Sequence, residues 1–126
     1  MAVYLMAHDL GTTGNKATLF SVDGTLVAHT VYPYPTRYFN STWAEQDPRN
    51  WWKAVCETSR RLLEQVPAGD IAAVAFSGQM MGCVCLGKHG ELLRDGIILS
   101  LIHISQFYQK EEPVPFGKTA LFFITV

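Results

Sequence analysis

The spacing of apolar and polar positions splits this chain into a β-like opening, one amphipathic helix and a second β-like stretch. Val3-Tyr4-Leu5-Met6-Ala7 is an apolar run that ends just before Asp9. A second run, Ala17-Thr18-Leu19-Phe20, predicts a strand from Lys16 to Val22. Asp23-Gly24 is a two-residue hairpin signal, and Thr25 to Val31 alternates as a third strand. Pro33 and Pro35 close it, because neither donates to a ladder. The expected unit is a three-stranded antiparallel meander. Residues 36 to 46 read as a loop. Asp47 suits an N-cap and Pro48 a first helical position. Trp51, Val55, Leu62 and Val66, with Trp52 and Leu63 widening the stripe, predict a helix from Pro48 to about Val66. Arg49, Lys53, Glu57 and Arg60 form its solvated face.

Pro67 and Gly69 stop the helix. The short, continuously apolar Ile71-Ala72-Ala73-Val74-Ala75-Phe76 then predicts a strand buried on both faces. A helix joining two strands of one sheet implies a right-handed crossover, so this strand should run parallel to the first. Cys83-Val84-Cys85-Leu86 predicts another strand and Gly87-Lys88-His89-Gly90 a turn. Leu92-Leu93 and Ile97-Ile98 flank a second expected turn at Asp95-Gly96.

Two polar turns then stand out. Asp9-Leu10-Gly11-Thr12-Thr13-Gly14-Asn15-Lys16 joins the first two strands. Gly11 and Gly14 permit positive φ, with backbone N–H groups aimed into a concavity. Thr12 and Thr13 add hydroxyls, Lys16 a cation, and Asp9 a hard oxygen ligand for Mg²⁺. Phosphoryl transfer needs such a set, because its catalysis is mostly positioning and charge stabilisation. The same letters also spell an ordinary hairpin loop. The second turn, Ser77-Gly78-Gln79-Met80-Met81-Gly82, follows the crossover strand. Ligands in α/β sheets sit beyond the carboxyl ends of strands. The two turns are therefore expected to converge on one edge of the sheet.

Composition narrows the classes. Apolar residues make up 48% and charged residues 17% of 126, which suits one modest globular domain. A net charge of −1 offers no basic field for nucleic acid or an anionic membrane. No run approaches a membrane span, and the start lacks a secretory signal. Cys56, Cys83 and Cys85 are odd in number and fit reduced thiols in a cytoplasmic protein.

Asp9-Leu10-Gly11-Thr12-Thr13, Trp43-Ala44-Glu45-Gln46-Asp47-Pro48 and Ser77-Gly78-Gln79-Met80-Met81-Gly82 together resemble the start of the FGGY carbohydrate kinases, nearest to their xylulokinase-like branch. Hsp70-type ATPases share the first motif but lack the other two. The resemblance implies an α/β fold, the actin-like, ribonuclease-H-like N-terminal domain, here incomplete. It also implies ATP, Mg²⁺ and transfer of the γ-phosphoryl group to a sugar hydroxyl. By position, Asp9 would serve the metal, and Gly11, Thr12, Thr13 and Lys16 the nucleotide phosphates. Gln79, Met80 and Met81 would lie at the sugar pocket. Met81 replaces a His common in xylulokinases, which puts xylulose itself in question. Core packing is the ordinary role of such a Met, as it is of Trp43. His8 reads as a satisfied structural histidine.

The motif likeness stops near Leu99, which assigns residues 1–98 to a partial kinase domain and 99–126 to a non-family tail. Gln106 to Lys118 reads as a linker and Thr119 to Val126 as an apolar end with nothing to cover it. A truncated or frame-shifted origin is the expectation for this tail. The Asp that takes the sugar proton in the family has no match here. Asp70 and Asp95 read as turn residues. The alternative is a non-catalytic module of the same fold that binds a nucleotide or a partner.

Overall fold

The structure is a computed structural model describing residues 3–80 and 82–98, together with the backbone of Thr119–Ile124. It separates into two units, one of residues 1–35 and 49–78, the other of residues 36–48 and 79–126.

The first unit is a four-stranded mixed sheet with one helix. Strands β1 (Tyr4–Leu10), β2 (Gly14–Ser21) and β3 (Leu26–Pro33) form the expected meander. Gly24 has φ 88°, the left-handed conformation that the Asp23-Gly24 turn requires. Helix α1 (Pro48–Leu62) follows, and β6 (Ile71–Gly78) returns parallel to β1, as the crossover argument requires. The strand order is β3-β2-β1-β6. Met6, Ala17 and Leu19 on one sheet face pack against Leu62 and Val66 to make the core. Burying an aliphatic side chain of this kind contributes roughly 1.5–3 kcal/mol.

Several expectations change. Strand β1 runs through Asp9 to Leu10, and β2 begins at Gly14, so the loop between them is only Gly11-Thr12-Thr13. Neither Gly11 nor Gly14 has positive φ. Gly14 is needed for space instead: a Cβ there would lie 2.7 Å from the Tyr32 carbonyl oxygen and 3.0 Å from the Pro33 Cα. Helix α1 ends at Leu62, short of Val66. Its buried residues are Ala54, Val55, Thr58 and Leu62, whereas Trp52 is 67% exposed and lies off the stripe. Strand β6 is not buried on both faces. It lies at the sheet edge beyond the cover of α1, with Val74 and Phe76 about half exposed.

The second unit is a sheet in the order β4 (Arg37–Phe39), β5 (Trp43–Gln46), β8 (Gly96–Ile97), β7 (Gly82–Gly87) and β9 (Thr119–Ile124). Residues 36 to 46 are not a loop. They form the hairpin β4 (Arg37–Phe39) and β5 (Trp43–Gln46), whose turn places Asn40 and Ser41 at positive φ. Phe39 and Trp43 stack edge to face across it, with ring centroids 5.4 Å apart. Strand β7 (Gly82–Gly87) matches expectation, and Gly90 closes the turn after it by donating to the Gly87 carbonyl. Gly96 belongs to strand β8 (Gly96–Ile97), not to a turn. The apolar end expected to stand uncovered pairs antiparallel with β7 as β9 (Thr119–Ile124), filling an edge that β8 leaves open. Cys83, Cys85 and Ile97 form a small core, and all three cysteines are free thiols. A hydrogen bond with Cys85 and burial both push the Cys83 thiol up, so it stays protonated. The linker expected over Gln106 to Lys118 lies outside the described residues.

The space at Gly14 sets the first prediction. Gly14→Ala forces the backbone of β3 aside and should cost about 1–3 kcal/mol. Gly11→Ala, whose Cβ would meet only the Gly14 oxygen at 3.5 Å, should cost far less. Urea denaturation of the two variants reads the difference, and equal losses would count against the close approach.

Candidate active site

The open face of the first sheet carries the charged residues that the sequence singles out. Register places Asp9 opposite Lys16 on β2 and opposite Ser77 on β6, so the three share one face at the carboxyl ends of β1 and β6. The Ser77 hydroxyl donates to Asp9 Oδ1 at 3.0 Å. Ala7, Thr18 and Ala75 line up beside them, and the shallow depression there measures about 330 Å³. Ser77 stood in the sequence motif without a role. Its position in the register supplies one, as the hydroxyl that orients the Asp9 carboxylate.

The loop is tied from two sides. The Gly11 amide donates to the Gly14 carbonyl at 3.0 Å, so this N–H is spent inside the turn and is not aimed outward. Tyr34, just past β3, fastens two of the loop's carbonyls. Its backbone N–H donates to the Thr13 carbonyl at 3.3 Å, and its phenol donates to the Gly11 carbonyl. Burial, then the Asp9 charge, raises the phenol to about 12, so it stays a donor throughout the working pH range. Thr13 and Lys16 are exposed and Thr12 is half-buried.

Beneath this face lies a buried polar knot. Asn15 is fully buried, and its amide Nδ2 donates to His8 Nδ1 at 3.0 Å and to Thr58 Oγ1 at 2.8 Å. Thr58 Oγ1 donates in turn to the Ala54 carbonyl at 2.8 Å. With Nδ1 accepting, the His8 proton sits on Nε2 and points to Ser59 Oγ at 3.3 Å. The Phe76 ring stacks on His8 at 5.1 Å. His8 is thus the structural histidine expected, and Asn15 was missed because a lone Asn beside a turn reads as a turn residue.

In the second unit, Gln79 Nε2 donates to Gln46 Oε1 at 2.9 Å. Met80 is 54% exposed, which sets core packing aside for it, and Met81 lies outside the described residues. Glu45, 1% exposed, is gripped by Arg37 at 2.5 Å and by Arg94. Arg37 also lies 3.6 Å from Asp95. Trp43 packs on Phe39.

The model for the N-terminal domain of the FGGY family of carbohydrate kinases matches residues 4–107. The chain belongs to the FGGY family. Among its relatives, the xylulose kinase of Escherichia coli K12 is 33% identical over 90 residues, covering 71% of this chain and 19% of that protein. The gluconate kinase structure from Lactobacillus acidophilus superposes with a TM-score of 0.73 at 34% identity, over 77% of this chain and 20% of that one. The ligand-bound xylulose kinase structure from the same organism gives 0.70 at 35% identity, over 75% and 19%. The actin-like, ribonuclease-H-like assignment and the likeness to the xylulokinase branch both stand. The FGGY chain spans about a fifth of the length of these relatives.

Donor chemistry at Asp9 suits Mg²⁺. Among the described residues no three His, Cys, Asp or Glu converge as a metal cage. Mg²⁺ asks for less, one or two carboxylates with water and phosphate oxygens for the rest. The exposed Asp9 carboxylate, steadied by Ser77, meets that need.

Two predictions follow from the tethers. Tyr34→Phe removes the phenol donor from Gly11 and should cost about 1 kcal/mol in urea denaturation. An unchanged midpoint would deny the tie. Burial holds His8 below its ordinary value of 6.5. Above 6.5 both folded and unfolded states are neutral there. As pH falls through 6.5 the unfolded state takes up a proton that the folded state refuses, so stability drops toward acid. Imidazole NMR of the folded chain should give a His8 midpoint below 6.5, and a midpoint above it would contradict the buried neutral ring.

Proposed function

We propose that this FGGY chain supplies the N-terminal part of an ATP-dependent kinase that phosphorylates a hydroxyl of a carbohydrate, a pentulose such as xylulose or a related sugar. The observation that carries it is the triad at one sheet rim. Asp9, Lys16 and Ser77 share a face where β1 and β6 end together, beside the strapped Gly11-Thr12-Thr13 loop. Asp9 would hold Mg²⁺, and Thr12, Thr13 and Lys16 with Gly11 would line the site of the nucleotide phosphates. Lys16, opposite Asp9, adds cationic charge that offsets phosphate repulsion. Gln79, Met80 and Met81 take the sugar. The names of the relatives, xylulose kinase and gluconate kinase, support a polyhydroxylated acceptor. In such a site the protein positions the γ-phosphoryl group and stabilises its charge, and the chemistry remains that of the nucleotide.

The sugar hydroxyl must also lose a proton to a carboxylate within hydrogen-bond reach. The family's proton acceptor has no counterpart in this sequence, so the chain by itself should turn over little or no sugar. A coupled ADP-release assay with Mg-ATP and a panel of pentoses measures this, and robust turnover abolished by Asp9→Ala would refute it.

Nucleotide binding is the direct test of the site. Calorimetry should detect Mg-ATP, with affinity lowered about tenfold or more in Asp9→Ala, a loss of about 1.4 kcal/mol. Binding that ignores this substitution would remove Asp9 from the metal site. The second reading, a non-catalytic module, draws on the exposed Val74 and Phe76 of β6, which leave an apolar sheet edge available to a partner. Mg-ATP binding would fit its nucleotide-binding form, and failure to bind Mg-ATP would leave only its partner-binding form.

A further inference from the structure

The second unit contains a chain of side-chain amides in which the proposed kinase reading uses Gln79 and leaves Gln46 without a role. Gln46, at the end of β5, is 2% exposed. Its Nε2 donates to Thr36 Oγ1 at 2.6 Å, and its Oε1 accepts from Gln79 Nε2 at 2.9 Å. The direction of these two bonds orients the Gln79 amide. Its nitrogen is turned toward Gln46, so its carbonyl oxygen is turned away. That Gln79 Oε1 is buried and has no hydrogen-bond partner among the described residues. A buried acceptor left unpaired is costly, and such atoms occur in native proteins where a water, an ion or a ligand supplies the donor.

Gln46 itself cannot drift. Its register partner on β8 is Gly96, and the preceding Glu45 is held by both Arg37 and Arg94. The amide of Gln79 is therefore oriented by a side chain that is itself fixed.

We infer that Gln46 is a positioning residue, which sets the Gln79 amide so that its carbonyl oxygen accepts a hydrogen bond from a carbohydrate hydroxyl. The inference rests on the kinase reading and assigns Gln46 a part in sugar recognition. A neutral acceptor aimed by a second amide suits a hydroxyl donor, and it disfavours an anionic oxygen at the same point. The two substitutions at Gln46 separate orientation from bulk. Glu at this position keeps an acceptor for Gln79 Nε2. Leu keeps the volume but frees the Gln79 amide to rotate.

The test is a titration of the ¹⁵N-labelled 126-residue chain with D-xylulose, followed at the Gln79 side-chain amide. The wild type should show saturable shifts there. Gln46→Leu should weaken binding by about tenfold or more, while Gln46→Glu stays within about threefold of wild type. Should Gln46→Leu fail to give a folded spectrum, Thr36→Val, which releases the far end of the chain, carries the same expectation of weakened binding. Equal affinity in wild type and Gln46→Leu overturns the inference. So does wild type without sugar-induced shifts. Mg-ATP calorimetry on the same sample separates the two failures: nucleotide binding without sugar binding removes the sugar roles of Gln46 and Gln79 but leaves the nucleotide site, whereas loss of both removes the kinase reading with it.

Discussion

The amide of Asn15 is the point on which the first unit depends. It has two N–H groups, and it gives one to His8 on β1 and the other to Thr58 on α1, while its own backbone lies in β2. Two consecutive strands and a helix 43 residues further on are thereby tied together. Asp9 and Lys16 each follow a member of this knot by one residue. Because side chains alternate across a strand, a buried His8 and Asn15 oblige Asp9 and Lys16 to point to the open face. The polar knot on one side and the charged pair on the other are two consequences of a single strand register. A slip by one residue would bury Asp9 and Lys16 under α1 without partners, a far larger penalty than the knot's own hydrogen bonds are worth.

The loop above the knot obeys a related constraint. A three-residue connection between β1 and β2 leaves few backbone groups to spare, and the turn uses the Gly11 amide internally. The Gly11 and Thr13 carbonyls are held by Tyr34, which arrives from the end of β3 and donates twice. Gly14 makes that approach possible, since a side chain there would collide with Tyr32 and Pro33, the residues that lead the chain to Tyr34. The loop is thus rigid before any ligand arrives. A loop held in this way needs no reorganisation when an anion arrives, which is what the proposed phosphate site would require.

Much of this was legible in the residues, and the gaps have physical causes. Asp23-Gly24 and Asp47-Pro48 are local signals whose chemistry permits few alternatives, and both mark real boundaries. The parallel return of β6 followed from handedness alone. Burial of β6 did not, because an apolar run says that a strand can be covered, not that covering elements are present. Trp52 misled for a similar reason: its size suggested the core, yet its angular position on α1 faces solvent. The β4–β5 hairpin was hidden by its turn, since Asn40 and Ser41 reach positive φ without a glycine to announce it. Of the candidate site, Asp9 and Lys16 could be named from type and spacing. Ser77 and Tyr34 could not be given roles, because their partners lie 68 and 23 residues away in the chain.

The same reasoning explains why the motif Trp43-Ala44-Glu45-Gln46 is informative beyond its likeness to a family. Alternation along β5 sends Glu45 and Gln46 to opposite sides, yet both are almost fully buried. A buried carboxylate is tolerated only when compensated, and Glu45 has two guanidinium partners. A buried amide must likewise spend its donors and acceptor, and Gln46 spends them on Thr36 and Gln79. Hydrophobic residues would fill both positions with less electrostatic risk. What they would lose is direction: the ion pairs fix the strand along its length, and the amide chain fixes the orientation of the side chain at its end. Two adjacent polar residues in a buried strand are thus better explained by the geometry they impose on Gln79 than by the stability they add.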